Sequence, residues 1–280
     1  MPVATVNSTP IAYEINGEGS ETMLLLPGLA TGMSYFKFVE PRLRTGARTV
    51  LVDPRGLGQS PSSDREYTAE RWADDFDALL DHLDLKKVHV VGSSHGGSMA
   101  MAMADRHPGK LASLMVLGGF SEFTKAMEIN LRMRVSIVSK LGMGPEIADH
   151  VTLWTNRPAF LDTEQGRQAV ETNTRAIMAA NAERYLAMVR SMQHWGRVLP
   201  EQAGEPKFTT RLPMIKVPTL ALTGDSDHYI PASLSKLIAD KVPNGEYREI
   251  RECGHIAVQE KPEESAAILL AFVRKHAARK

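Results

Sequence analysis

Short apolar runs alternate with amphipathic stretches along most of this chain. Met23–Leu26, Arg48–Val52, Val88–Gly92, Leu114–Leu117 and Thr219–Thr223 are rich in β-forming residues, and most are continuously apolar. Continuous apolarity marks a strand covered on both faces. Between these runs the period changes. Ala69–Leu83 sets Trp72, Phe76, Leu79, Leu80 and Leu83 at helical spacing, and Ala232–Lys241 and Pro262–His276 behave alike. A last strand is expected near Tyr247–Ile250. An antiparallel hairpin, Val3–Val6 and Ile11–Ile15 around Asn7-Ser8-Thr9-Pro10, is expected on one edge. The alternation predicts an α/β fold: a mostly parallel sheet of eight strands with helices on both faces.

Residues 120–213 break this rhythm. They show no strand pattern, only the helix-like stretches Ser121–Leu141, Pro145–Trp154, Thr163–Asn181 and Ala182–Gly196, and the strand pattern returns at Leu212–Pro218. The predicted organisation is a core of residues 1–119 and 214–280 carrying an inserted helical cap domain, 120–213. Such an insert belongs over the C-terminal edge of the sheet, where open α/β sheets bind ligands. Trp154, Phe160, Tyr185, Met188, Met192 and Trp195 are its candidate substrate contacts, since Met adapts to varied apolar ligands. Packing between the cap helices is the competing use for all six.

Length and charge narrow the class. A chain of 280 residues suits one large α/β domain with an insertion. Lys plus Arg number 33 and Asp plus Glu number 33, so no net field favours nucleic acid or an anionic membrane. Neither partner is expected; a small molecule is, and both monomer and homodimer stay open. The single cysteine, Cys253, excludes an intrachain disulfide and suits a reducing compartment. Met1-Pro2-Val3-Ala4-Thr5 has neither the basic nor the apolar region of a secretion signal, and no apolar run reaches membrane-spanning length. A soluble cytoplasmic protein is the expectation.

The chemistry concentrates where the run Val88–Gly92 enters Gly92-Ser93-Ser94-His95-Gly96 and a helix, Ser98–Arg106, follows. A strand that turns so sharply into a helix strains its middle residue. Any Cβ at Gly92 or Gly96 would collide with the neighbouring strand or helix. The Ser94 hydroxyl is thereby lifted clear of the sheet at a helix N-terminus, the setting that G-x-S-x-G requires. An ordinary βα turn is the competing reading. A serine hydroxyl needs a base within reach and a third group to orient the base. Two later loops follow strands: Gly224-Asp225-Ser226-Asp227-His228-Tyr229 and Glu252-Cys253-Gly254-His255-Ile256. They supply carboxylate and imidazole in the order Ser, Asp, His.

Leu-Leu-Leu-Pro-Gly-Leu (24–29), Asp-Pro-Arg-Gly-Leu-Gly-Gln-Ser (53–60), Gly-Ser-Ser-His-Gly-Gly (92–97), Gly-Asp-Ser-Asp (224–227) and Cys-Gly-His (253–255) together make the chain resemble the α/β-hydrolase fold superfamily over nearly its whole length. Within it the chain is similar to carboxylesterases and to 3-oxoadipate enol-lactonase-like hydrolases. The resemblance implies a nucleophile Ser94, a base His255 and an orienting acid Asp227. Asp227 matches the family pattern Gly-x-x-Asp, and Asp225 is the competing carboxylate, better suited to capping the turn. Glu122 is a third candidate acid. The implied oxyanion hole is made by the backbone N–H groups of His95 and Leu29. Where the family usually has His-Gly this chain has Pro27-Gly28, which removes a side chain and keeps the donor. Gly28 then lets the backbone approach substrate.

The remaining signals are read structurally. His89 lies inside a strand, and His194 and His228 are candidates for the pocket wall. Asp53–Gly58 has glycines but lacks the helix start and the Lys-Ser/Thr of a phosphate loop, so it is read as a turn in which Arg55 pairs with a carboxylate. No His, Cys and Glu grouping has metal-ligand spacing, and neither metal nor cofactor is expected. The function expected is a serine hydrolase cleaving a carboxylic ester, or a lactone, of a small and largely apolar substrate. An enol-lactonase, a C–C bond, amide or thioester hydrolase, and a non-catalytic ligand receptor on the same fold are the alternatives.

Overall fold

In a computed structural model of the chain, residues 1–61 and 66–277 are described. Eight strands form one sheet: β1 (Val3–Val6), β2 (Thr9–Asn16), β3 (Thr22–Leu26), β4 (Arg48–Val52), β5 (Val88–Ser93), β6 (Leu111–Leu117), β7 (Thr219–Gly224) and β8 (Gly245–Ile250). Their spatial order is β1-β2-β4-β3-β5-β6-β7-β8. β1 and β2 form the expected antiparallel hairpin, β2 pairs antiparallel with β4, and every later pairing is parallel. The chain leaves β3 outward to β4, then crosses back to lay β5 on the other side of β3. The C-terminal ends of β3 and β5 therefore flank a crevice, the place where open sheets bind ligands.

Eleven α-helices accompany the sheet among the described residues. Outside the insert they are α1 (Glu40–Leu43), α2 (Ala69–His82), α3 (His95–Arg106), and, after β7, α9 (Ala232–Lys241), α10 (Ala257–Glu260) and α11 (Pro262–Lys275). Between β6 and β7 lie α4 (Lys125–Leu141), α5 (Pro145–Thr155), α6 (Pro158–Leu161), α7 (Glu164–Met178) and α8 (Ala182–Trp195), with no strand among them. Side chains alternate across the strands. Leu24, Leu26, Val50, Val52 and Val90 join Trp72, Phe76 and Ile238 in one core layer. Met23, Leu25, Leu51 and Val91 join Leu43, Leu269 and Phe272 in the other. Helices thus cover both faces, and this is why the strands read as unbroken apolar runs.

The insert helices start where a side chain caps them. The oxygens of Thr124, Thr163 and Asn181 accept from the backbone N–H groups of Met127, Gly166 and Arg184. Each such cap contributes about 1 kcal/mol. The first helix accordingly begins at Lys125 rather than at Ser121. Two further expectations need correction. Leu212–Pro218 is not a strand: Leu212–Met214 is a short 3-10 turn and the strand begins at Thr219. Pro213 and Pro218 have no N–H for a ladder in the sheet interior. The helix after Ser94 begins at His95, not Ser98; Gly96 and Gly97 hid it, because glycine is a poor helix former used here for close approach.

Candidate active site

Ser94 stands at the junction of β5 and α3 with φ 56° and ψ −122°. Such a backbone costs an L-residue about 1–3 kcal/mol and persists only where its surroundings enforce it. Here they do. The Ser94 N–H donates to the Leu117 carbonyl at 2.7 Å, and the Ser94 carbonyl accepts from Gly97 N–H at 2.8 Å. A Cβ at Gly92 would lie 2.2 Å from the Gly96 carbonyl oxygen, and one at Gly96 would lie 2.2 Å from that of Leu26. Only glycine at both positions lets the turn close against β3.

His255 follows β8 and Asp227 follows β7. His255 Nε2 lies 2.9 Å from Ser94 Oγ, and His255 Nδ1 lies 2.7 Å from Asp227 Oδ2. With the imidazole proton on Nδ1, Nδ1–H donates to Asp227 and Nε2 is free to accept from the Ser94 hydroxyl. All three residues are buried. The other oxygen of Asp227, Oδ1, accepts from the backbone N–H groups of Tyr229 (3.0 Å) and Ile230 (2.8 Å). The carboxylate therefore has no freedom to turn away. A Cβ at Gly224 would lie 2.2 Å from the Cys253 carbonyl oxygen, so this glycine lets the Asp227 and His255 loops touch. The insert helps as well: His255 N–H donates to the Thr155 carbonyl at the end of α5.

Two backbone N–H groups, those of Leu29 after β3 and of His95 at the start of α3, have no protein acceptor among the described residues. They lie on the two loops that the Gly92–Gly96 approach presses together. The helix N-terminus adds its partial positive charge at the same point.

A cavity of about 620 Å³ opens over Ser94 and His255. Of the candidate residues, Gly28, Leu29, Tyr185 and Met188 line it; Arg134 and Tyr229, which sequence reasoning did not single out, line it too. Trp154, Met192, Trp195 and Phe160 are corrections, since none of them lines this cavity. Trp195 is fully buried, donates from Nε1 to the Phe120 carbonyl and packs on Phe208. Met192 is buried with its sulfur accepting from the Tyr229 hydroxyl. Trp154 leans on His150, and Phe160 is buried at the end of the insert's shortest helix. Their apolar character serves the joints of the insert. His194 and His228 are likewise not in the cavity wall: His194 faces Arg197 and His228 is exposed.

Other candidates take structural places. Asp225 is exposed and accepts from Cys253 N–H and the Ser226 hydroxyl, the turn cap expected of it. Glu122 accepts from Thr209. His89 is held between Ser113 and Glu21 inside the sheet. Arg55 is buried against Asp75, with Nε and Nη2 both at 2.7 Å from its oxygens. Asp53 accepts from Met33 and Gln59 N–H groups and so ties the β3 and β4 loops together. Burial alone pushes the His95 imidazole down to about 3. It stays neutral, with Nε2 3.3 Å from the Ser191 hydroxyl. No group of three His, Cys, Asp or Glu side chains with metal-binding geometry occurs among the described residues, and none of their helices is long and apolar enough to cross a membrane.

A model of the alpha/beta hydrolase fold family matches residues 21–262. The chain is 28% identical to a proline iminopeptidase of Lactobacillus helveticus, over 94% of each chain. In structure it is similar to a thermophilic esterase from Thermogutta terrifontis, with TM-score 0.85 and 24% identity over 99% of each chain. It is equally similar to the enol-lactonase from Burkholderia xenovorans LB400, with TM-score 0.85 and 22% identity over 98% of this chain and all of that one.

Proposed function

This chain belongs to the alpha/beta hydrolase fold family, and on that premise we propose that it is a serine hydrolase cleaving a carboxylic ester of a small substrate through an acyl-enzyme on Ser94. One observation carries the reading: the unbroken line from Ser94 Oγ through His255 to Asp227 at the floor of a substrate-sized cavity. As Ser94 Oγ bonds to the ester carbonyl carbon, its proton passes to His255 Nε2. The carbonyl oxygen, now negative, is stabilised by the N–H groups of Leu29 and His95. Such donors act where the charge develops, and one is worth about 3–4 kcal/mol in the barrier. The carbon–oxygen bond to the alcohol then breaks, and His255 returns the proton to the departing oxygen. Water repeats the sequence on the acyl-serine, releasing the acid and restoring Ser94. Asp227 keeps the tautomer correct and stabilises the imidazolium without taking its proton.

In this reading residues 120–213 act as a cap that closes the cavity from above, with Tyr185 and Met188 against the substrate. No cofactor takes part in the sequence of steps. The single cysteine, Cys253, suits a cytoplasmic setting, where no disulfide is needed. The test is a panel of esters, lactones and amides assayed on the wild type and on S94A together. Turnover of esters by the wild type and its loss in S94A is the expected result. Preference for lactones or amides would move the substrate class, and turnover retained by S94A would end the mechanism.

A further inference from the structure

Arg134 is a buried cation in the cavity wall that no carboxylate among the described residues neutralises. It projects from α4 on the same stripe as Met127, Leu131 and Val138, and only 3% of it is exposed. Its Nε donates to Asn130 Oδ1 at 2.8 Å, and Asn130 Nδ2 in turn donates to His150 Nε2 at 3.2 Å. Its guanidinium carbon stands 4.8 Å from the centre of the Tyr229 ring. The edge of that ring meets His255, with centroids 5.2 Å apart. The charge is thus fixed in direction and stands one aromatic ring away from the imidazole. Its Nη2 is buried and has no hydrogen-bond partner among the described residues, and the same holds for the hydroxyl of Tyr185. Both residues line the cavity that contains Ser94 and His255. Among the described residues Arg134 forms no ion pair with Asp or Glu; the amide of Asn130, the face of Tyr229 and the nearby hydroxyl of Tyr185 are what it has.

A guanidinium does not deprotonate to escape burial. An unpaired buried charge is unfavourable for the free protein, and a ring face with one amide compensates only part of it. Such a charge becomes favourable when a ligand brings the missing acceptor. The planar fork of an arginine matches a carboxylate, which takes two parallel N–H bonds. The Tyr185 hydroxyl offers a further donor to the same group.

The geometry points to Arg134, with Tyr185, as the seat of a carboxylate on the substrate, so that the ester cleaved at Ser94 carries one anionic end on an otherwise apolar body. The inference rests on the serine-hydrolase reading and narrows its substrate class. It also gives a use to a guanidinium kept buried in the cavity wall without an ion pair among the described residues.

The test compares esters that differ only in that charge. One pair is the mono-p-nitrophenyl ester of adipic acid, whose carboxylate is too far along the chain to attack its own ester readily, and its methyl-capped form. The other is 3-acetoxybenzoic acid and its methyl ester, which move the carboxylate to the leaving group. In wild type at least one anionic member is expected to exceed its neutral partner in kcat/KM by about tenfold to a hundredfold, the range a hydrogen bond to a charged group supplies. In R134M, checked for native fold by circular dichroism, that ratio is expected to fall to about one or below. R134K, which keeps a charge without the fork, is expected to fall between. A wild-type ratio near one in both pairs overturns the proposal, and so does a preference that survives in folded R134M. The wild-type ratio needs no variant, so a misfolded R134M does not shelter the idea. S94A separates the two readings. Neutral esters hydrolysed through Ser94 without preference for the anion would remove the carboxylate seat alone. Turnover that survives S94A would remove the serine mechanism itself. If no ester is turned over, the same compounds are titrated by calorimetry, and the same ratio is read from Kd.

Discussion

His255 Nδ1 stands 2.7 Å from Asp227 Oδ2, while Asp225, two residues earlier in the same loop, bonds to the N–H of Cys253 instead. The turn separates them. Asp227 is buried and faces the imidazole with its second oxygen tied to two backbone N–H groups, whereas Asp225 is exposed. Two carboxylates of one loop therefore have different work.

D227N is expected to lower kcat for a p-nitrophenyl ester by about 10⁴-fold, because the amide favours the wrong imidazole tautomer. D225N should change kcat by no more than about a few-fold and stability by about 0.5 kcal/mol, as for other exposed sites. Steady-state kinetics on the two variants decide between the acids. A larger loss in D225N would reverse the assignment.

S94A is expected to lower kcat by about 10⁴- to 10⁶-fold, leaving what the oxyanion donors and binding alone provide. Its far-ultraviolet spectrum should match the wild type, since the β-carbon at this position is retained. Residual activity within about tenfold of wild type would rule out an acyl-serine.

Stability should depend on acid. Burial pushes His95 down to about 3, and burial together with the charge of Arg134 pushes His150 down to about 4. Both folded values lie below the unfolded value of about 6.5, so the unfolded chain takes up protons that the folded one refuses. The stability they contribute is complete above about pH 6.5 and is lost as pH falls toward 4 and below. Urea midpoints measured between pH 7.5 and 4.5 should decline, and H95Q should flatten the decline. An equal slope in H95Q would mean that other groups carry it.

G96A should be destabilised by about 3 kcal/mol or more, since its Cβ would lie 2.2 Å from the Leu26 carbonyl oxygen in a contact of two backbones. Activity should fall further than stability does, because the same displacement separates the Leu29 and His95 N–H groups. Denaturant unfolding and ester hydrolysis on one preparation measure both.

Much of the fold was written in period and punctuation. The interior strands β3 to β7, the hairpin edge and the helical interruption between Leu117 and Thr219 follow from mostly apolar runs, helical stripes and turn residues. The misplaced pieces were those in which local chemistry opposed the pattern. Leu212–Pro218 is apolar yet carries two prolines, and Gly96-Gly97 starts a helix with the residues least disposed to one.

The cavity was legible only in part. Tyr185 and Met188 face it, while Trp195 and Met192, on the same helix α8, face the joints of the insert. An amphipathic pattern tells which face of a helix is buried and not what buries it. Arg134 does carry a signal in the sequence: it falls on the stripe of Met127, Leu131 and Val138, where a long cation has no ordinary reason to be.

The chain alone determined the α/β class, the strained serine between glycines, and the supply of one carboxylate and one imidazole from loops after later strands, because these depend on residue type, period and local backbone sterics. Tertiary structure decided that Asp227 and not Asp225 meets His255, which helix faces reach the cavity, and that Arg134 finds no counter-ion among the described residues. Those outcomes depend on distances between segments far apart in sequence, which are fixed only when sheet order and crossovers bring the segments together.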